Sequence, residues 1–172
     1  MSWGRRGTCY KALDIITAAR RRVMNIFAEI GLHLSGFERL RTMMTDGRLT
    51  GIEQTLGLRI VEVEEGRVVV EGTPGPHVYN PFAVVHGGFA AAILDNACGY
   101  AAQSKMAPGQ MCTTLELKVA YHRAMTKETG PVRAEGSIVS IGRRAAFTEA
   151  KLTDIAGKLY ASATSSLMVV AS

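Results

Sequence analysis

The chain has 172 residues, a net charge of +5 and a sequence pI near 9.3, with 47% hydrophobic and 20% charged residues. This length fits one domain with its own core, since a domain of about 150 residues buries roughly 68 to 70% of its unfolded surface. The composition excludes a disordered or fibrous protein, while the positive charge favours anionic partners without distinguishing nucleic acid, anionic lipid and phosphorylated small molecules.

The N-terminal part of the chain has a helical pattern. Between residues 10 and 45, apolar side chains recur at steps of three, four or seven positions, which predicts helix. Gly31 and Gly36 would each cost about 1 kcal/mol relative to Ala inside a helix, so we expect a break between them. We interpret residues 1–34 as an amphipathic basic helical extension, which could cover the sheet, contact a partner chain or lie on an anionic membrane, and residues 35–172 as the main domain.

After Asp46-Gly47 the periodicity changes to that of strands. Alternating apolar residues before and after Glu65-Gly66 predict a β-hairpin, and residues 73–82, rich in Pro and Gly, predict a loop. From Gly87 to about Ser104 the pattern predicts a helix buried nearly all round. Four β-type segments follow at residues 111–123, 132–141, 145–154 and 158–170. This order predicts a single α+β domain.

Cysteine usage and hydropathy suggest where the protein works. Cys9, Cys98 and Cys112 are odd in number and form no CxxC pair, which argues against a disulfide framework or zinc ribbon and predicts a reducing compartment, by default the cytoplasm. Cys98 and Cys112 are expected to pack in the core as small hydrophobes. No metal site is expected. The longest apolar run, 89–94, is far shorter than the roughly 20 residues of a membrane span, so no stable membrane insertion is expected.

Asp95 lies in the middle of the predicted buried helix. The helical neighbours one turn before and after it are Ala91, Ala92, Cys98 and Gly99, and none of them could pair with a charge. An isolated buried carboxylate costs several kcal/mol unless it is paired or neutralised. Asp95 therefore either lies on an exposed stripe of the helix or has a function.

The sequence His86-Gly87-Gly88 lies where the loop becomes the helix. Glycines there let a ligand approach the free N–H groups of the first turn, as in an oxyanion hole, although a plain tight turn has the same sequence. Seven residues separate Gly88 from Asp95, about 10 Å along a helix, which is too far for both to touch one carbonyl group. Two helices packed antiparallel across a two-fold axis would join Gly88 of one chain to Asp95 of the other. The spacing therefore predicts a homodimer.

The spaced residues Asn80-Pro81, His86-Gly87-Gly88, Asp95-Asn96-Ala97 and Gly99 resemble the motif of the hotdog-fold acyl-CoA thioesterases of the phenylacetic-acid-degradation (PaaI-like) group. The resemblance covers roughly residues 35–170. It implies a curved antiparallel β-sheet around a long central helix, and dimers that commonly pair into tetramers. The implied reaction is hydrolysis of an acyl-CoA, with a small, medium-chain or aryl acyl group, to free acid and CoA. It implies no cofactor, since coenzyme A is part of the substrate.

The resemblance also implies roles for single residues. Asp95 would be the catalytic carboxylate, either a base that activates water or a nucleophile that forms an anhydride. Gly87 would supply the main oxyanion N–H, and Asn80 would help polarise the thioester carbonyl. A hydroxyl that orients water would fall at Thr114, with Thr113 as the adjacent alternative.

Other positions are expected to support this site. We expect His86 to hold the loop or touch the thioester region, rather than to form a catalytic pair with Asp95. The residues expected to line the substrate groove are Gly88, Asn96 and Gly99. The resemblance implies contacts to the phosphates of coenzyme A at Arg123, Arg143 and Arg144, although solvated strand ends would have the same sequence.

Two other functions fit parts of the sequence less well. A hydratase or dehydratase of this fold needs a different arrangement of His and acid. A non-catalytic acyl-CoA sensor remains an alternative, and some hotdog domains carry an N-terminal DNA-binding unit. The extension is too short for a helix-turn-helix domain with its own core, so no nucleic acid partner is expected. The presence of Asp95 favours catalysis.

Overall fold

A computed structural model of the protein describes residues 25–171. Its helices are α1 (Ile26–Ile30), α2 (Gly36–Asp46), α3 (Gly51–Leu56) and α4 (Gly87–Gln103), with a short 3-10 helix at Pro76–Val78. Its strands are β1 (Leu58–Glu64), β2 (Arg67–Gly72), β3 (Gln110–Tyr121), β4 (Val132–Ile141), β5 (Ala145–Asp154) and β6 (Leu159–Ala171). The predicted hairpin, long helix and four later strands are confirmed.

The strands form one antiparallel sheet in the order β1-β2-β4-β5-β6-β3. Helix α4 packs on one face of this sheet, against β2 and β4 at one side and β3, β5 and β6 at the other. Its side chains Phe89, Ile93, Leu94 and Ala97 are buried in the main core. The predicted architecture, an antiparallel sheet around a long central helix, is therefore confirmed.

The central helix lies very close to the sheet at Gly136 of β4. A Cβ atom at Gly136 would lie 2.2 Å from the carbonyl oxygen of Ala97, well inside van der Waals contact. The absence of a side chain at Gly136 therefore sets the depth at which α4 lies on the sheet.

Glycines and capping residues define the N-terminal helices. The expected break between residues 31 and 36 is confirmed, because α1 ends at the cap Gly31 and α2 begins after Ser35, whose side chain forms a capping box with Glu38. The part of the predicted helical segment at residues 10–24 lies outside the described residues, as does Cys9.

Helix α3 was not expected from the sequence. Its signal was the sequence Thr50-x-x-Glu53, which forms a second capping box. Glu53 is buried and also accepts a hydrogen bond from the Tyr100 hydroxyl at 2.9 Å, so it ties α3 to α4.

Helix α1 packs on the main domain, although it lies within the predicted extension. Ile26 is buried, and Phe27 and Ile30 pack against the core cluster. None of the helices in residues 25–171 has both the length and the apolar character that a membrane span requires.

Strand β3 forms one edge of the sheet and pairs only with β6 along its length. Leu115 and Tyr121 on this strand are 64% and 58% exposed. A long edge strand with exposed apolar side chains is a surface onto which another strand can add.

Candidate active site

Asp95 and Thr114 are in direct contact. Thr114 lies on β3, and its Oγ1 donates a hydrogen bond of 3.0 Å to Oδ1 of Asp95, which is half-buried on α4. Thr113, the adjacent alternative, does not make this contact. The pair borders a cavity of about 240 Å³, which we call the Asp95 cavity. The other residues that line it are Phe27, Asn96, Gly99, Tyr100, Gln103, Cys112, Thr113 and Leu167.

Two residues expected to bind substrate border the Asp95 cavity. At Gly99, a Cβ atom would have no neighbour within 4 Å, so the space beside the helix is open. The Nδ2 atom of Asn96 is buried, and no acceptor in residues 25–171 takes its hydrogen bonds. An unpaired buried amide of this kind costs about 1–3 kcal/mol, which a ligand or partner acceptor would offset.

Gly87 lies on a second cavity of about 380 Å³, which we call the Gly87 cavity. It is lined by Asn80, Val84, Val85, Gly87, Ala90, Tyr121, His122, Arg123, Ala124, Met125, Tyr160 and Ala161. The Tyr121 hydroxyl donates a 3.1 Å hydrogen bond to the Gly87 carbonyl, and a Cβ atom at Gly87 would lie 3.2 Å from the Tyr121 ring. Among the described residues no acceptor takes the Gly87 N–H, so this donor is open to a ligand.

Asn80 is fixed by its own loop. Its Oδ1 accepts a hydrogen bond of 2.9 Å from the Phe82 N–H, and its backbone N–H donates to the Val84 carbonyl at 2.8 Å. This turn uses the side-chain oxygen of Asn80. Because Oδ1 is used in this turn, Nδ2 is the part of the amide left to donate, and Asn80 lines the Gly87 cavity.

His86 caps the first turn of α4. Its Nδ1 accepts a 2.8 Å hydrogen bond from the Gly88 N–H. The expectation that the Gly88 N–H is free for a ligand was therefore wrong, because the imidazole of His86 occupies it. A Cβ atom at Gly88 would lie 2.9 Å from that nitrogen, so the glycine makes room for the cap.

The expected site residues fall into two groups within one chain. No residue lines both the Asp95 cavity and the Gly87 cavity. Helix α4 runs without a break from Gly87 through Asp95, and eight residues of α-helix span about 12 Å. Asp95 and the open N–H of Gly87 therefore cannot act on one carbonyl group from the same chain.

The basic residues expected to bind coenzyme A also fall into two groups, one beside each cavity. Arg123 lines the Gly87 cavity, and its Nη1 donates a 2.9 Å hydrogen bond to the Leu159 carbonyl. Arg143 and Arg144 are exposed at the turn between β4 and β5. The Arg144 carbonyl accepts from the N–H of Val169, which pairs with Cys112 of the Asp95 cavity. The turn therefore lies beside that cavity.

The two described cysteines are protected from ionisation by burial. Burial raises the pKa of the Cys98 and Cys112 thiols to about 11, so both are protonated at neutral pH and lack the reactive thiolate. This agrees with the predicted packing role. Within residues 25–171, no three His, Cys, Asp or Glu side chains are grouped so that they could hold a metal ion.

Comparison with known proteins identifies the family. A model of the thioesterase superfamily matches residues 82–161, which include Gly87, Asp95 and Thr114. A 1,4-dihydroxy-2-naphthoyl-CoA hydrolase of Listeria monocytogenes serotype 1/2a (strain 10403S) is 33% identical over 109 residues, covering 63% of this chain and 87% of the relative. The chain belongs to the thioesterase superfamily. It is therefore a thioester hydrolase, as predicted.

Solved structures place this thioesterase among its relatives. A phenylacetic acid degradation-related protein of Ralstonia eutropha JMP134 is 25% identical, with a TM-score of 0.67, covering 75% of this chain and 98% of that one. The Escherichia coli PaaI protein of the phenylacetic acid degradation operon shares the fold at 18% identity, with a TM-score of 0.69 and coverage of 79% and 96%. The hotdog fold and the PaaI-like resemblance are confirmed.

Sequence reasoning missed two residues of this thioesterase's cavities. Tyr121 lies at the end of an edge strand, and only its contact with Gly87 reveals its position. Phe27 lies in α1, far from the motif in sequence, yet it lines the Asp95 cavity. Neither residue has a spacing that could have predicted its place.

Proposed function

We propose that this thioesterase hydrolyses an acyl-CoA, with a small, medium-chain or aryl acyl group, to free acid and CoA. The observation that carries the proposal is the contact between Thr114 and Asp95 at the edge of an open cavity. The activity in the name of the Listeria relative, hydrolysis of an aryl-CoA, supports the same substrate class.

The geometry supports a role for each group at the thioester. Because the Thr114 hydroxyl holds Oδ1 of Asp95, the other carboxylate oxygen can take a proton from water or attack the carbonyl carbon directly. In either case a C–O bond to the carbonyl carbon forms, the C–S bond breaks, and the CoA thiolate takes up a proton. In the direct attack, water then hydrolyses the resulting anhydride.

The negative charge that develops on the carbonyl oxygen needs donors. Gly87, with its open N–H, and Asn80, whose Nδ2 can donate, both line the Gly87 cavity. Donors fixed in advance at the developing oxyanion account for a large part of catalysis in acyl transfer. His86 is a positioning residue in this proposal, because its cap on Gly88 holds the turn that presents Gly87.

The complete site requires two chains. We infer a homodimer in which α4 packs antiparallel to its partner, so that Gly87 of one protomer faces Asp95 of the other. Three features support this arrangement: the separate cavities, the unpaired edge of β3, and the buried Asn96 amide without an acceptor in the described residues. Pairing of two such dimers into a tetramer is a further part of the proposal.

In that dimer, basic residues from both chains approach one substrate. Arg123 lines the Gly87 cavity of one protomer, and Arg143 and Arg144 lie beside the Asp95 cavity of the other. We propose that they bind the pyrophosphate and 3′-phosphate of coenzyme A. Arg suits this task because its guanidinium matches phosphate oxygens in pairs.

Release of free CoA thiol from a panel of acyl-CoAs tests the proposed activity. The panel contains acetyl-, hexanoyl-, decanoyl- and benzoyl-CoA, each compared with its rate of hydrolysis without protein. We expect thiol release well above that background for at least one member. Tight binding of an acyl-CoA without thiol release would instead support the alternative of a non-catalytic acyl-CoA sensor.

Mixing two inactive variants tests the two-chain site. Gly87→Val fills the oxyanion position, and Asp95→Asn removes the carboxylate, so neither homodimer has a working site. A mixed dimer keeps one intact site, and since half of the dimers are mixed after random exchange, about a quarter of wild-type activity should return. The two variants are refolded together and separately at equal total concentration. A mixture no more active than its components would rule out the shared site.

A further inference from the structure

The wall of the Asp95 cavity includes a residue from outside the segment that matches the superfamily. Phe27 lies in α1, whereas the match covers residues 82–161. Together with Tyr100 and Leu167 it gives the cavity an apolar side, opposite in character to the Asp95 and Thr114 pair. The N-terminal part of the chain therefore contributes directly to the place where an acyl group would lie.

The position of Phe27 is fixed from several directions. Asn25 caps helix α1, since its Oδ1 accepts from the Ala28 N–H at 3.0 Å, and Ile26 buries its side chain in the core. The guanidinium of Arg39 lies 5.2 Å from the centre of the Phe27 ring, within the range of a cation–π interaction.

Arg39 is itself held in place. It is fully buried on α2, and its Nη2 donates a 2.7 Å hydrogen bond to the Gln110 carbonyl at the start of β3. No carboxylate in residues 25–171 forms an ion pair with it. Arg39 therefore links the Phe27 ring, through the cation–π contact, to the start of the strand that carries Thr114.

The lining of the Asp95 cavity indicates which acyl groups it favours. Within one chain the cavity has a volume of about 240 Å³. An aromatic ring in the wall favours a second ring, which can stack on it or meet its edge. A fixed aromatic wall therefore favours a flat or short acyl group over a long flexible chain.

We infer that Phe27 determines acyl specificity in this thioesterase, selecting flat aromatic and short acyl groups over long alkyl chains. The inference rests on the proposed function and narrows it to a substrate class. Arg39 acts through Phe27 as a positioning residue and does not touch the substrate.

The test compares kcat/KM for benzoyl-CoA and decanoyl-CoA in the wild type and in Phe27→Ala. Removing the ring should change the ratio of the two values at least about tenfold towards decanoyl-CoA, since one change in the fit of an apolar pocket shifts discrimination about 10–200-fold. Phe27→Trp, which fills more of the cavity, should shift the ratio the other way. The matched control is Phe37→Ala, which removes a ring that Arg41 contacts at 5.6 Å and that does not line the cavity. We expect the control to keep the wild-type ratio.

The outcomes separate the inference from the proposed function. An active wild type whose ratio is unchanged in both Phe27 variants overturns the inference alone, as does an equal shift in the Phe37 control. A wild type that hydrolyses no acyl-CoA overturns the proposed function and the inference with it. If Phe27→Ala does not fold, the shift in Phe27→Trp decides the matter.

Discussion

Asp95→Asn should lower kcat for acyl-CoA hydrolysis at least about a hundredfold, because a general base contributes about 10²–10⁴ in rate. The substitution keeps the shape of the side chain and leaves an oxygen that can still accept from the Thr114 hydroxyl. It removes the charge that would attract a proton or attack the carbonyl carbon. The measurement is thiol release at saturating acyl-CoA, with the melting temperature of each variant as the check on folding.

The matched control for Asp95→Asn is Glu149→Gln. Glu149 is an exposed carboxylate on β5, and the same chemical change there should leave kcat unaltered. If Asp95→Asn kept the wild-type kcat, Asp95 could be neither the base nor the nucleophile. KM should change little, since the carboxylate acts mainly in the transition state.

Gly136→Ala should destabilise the fold by about 3 kcal/mol or more, at the upper end of the cost of overpacking a core. The new Cβ would lie 2.2 Å from the Ala97 carbonyl oxygen and 2.4 Å from its carbon. Both are backbone atoms of the central helix, so no side-chain rotation can relieve the clash. Helix α4 would have to move away from the sheet, which separates the core of Ile93 and Leu94 from its partners.

Thermal or urea unfolding measures this change. For a chain of this size, 3 kcal/mol corresponds to a fall in melting temperature of roughly 6–12 °C. The control is Gly51→Ala at the first position of α3, where an added Cβ atom meets nothing within 4 Å. It should be neutral or slightly stabilising, since Ala is the better helix former by up to about 1 kcal/mol. Equal melting temperatures for Gly136→Ala and the wild type would show that α4 is not pressed on the sheet here.

Much of the fold could be predicted because it depends on local patterns. Alternation of apolar residues predicted the strands, and the run of small and apolar residues after Gly87 predicted the central helix. Helix α3 was missed because six residues are too few to show a periodicity, although Thr50 and Glu53 marked its start. The order of strands, with β3 at the edge beside β6, depends on long-range pairing that periodicity does not specify.

The candidate site was predictable to the extent that its residues lie on one helix. Gly87, Gly88 and Asp95 share α4, so a fixed rise per residue sets their separation before any tertiary structure is known. The same arithmetic predicts that the two ends cannot reach one carbonyl group of the same chain. Thr114 was implied by the family resemblance only as a hydroxyl that orients water, with Thr113 as the alternative. Its contact with Asp95 depends on the packing of two separate elements and could not be predicted from the sequence.

The sequence by itself determined most of the element types and the separation of Gly87 from Asp95 along α4, because both follow from local spacing along the chain. The family was predicted from the resemblance of the motif. Only the tertiary structure decided that His86 accepts the hydrogen bond of the Gly88 N–H, that Tyr121 packs on Gly87, and that Phe27 lines the Asp95 cavity. The positions of Tyr121 and Phe27 depend on how side chains of separate elements pack, and the contact of His86 depends on the rotamer of its side chain. Local spacing along the sequence predicts neither packing between elements nor a rotamer.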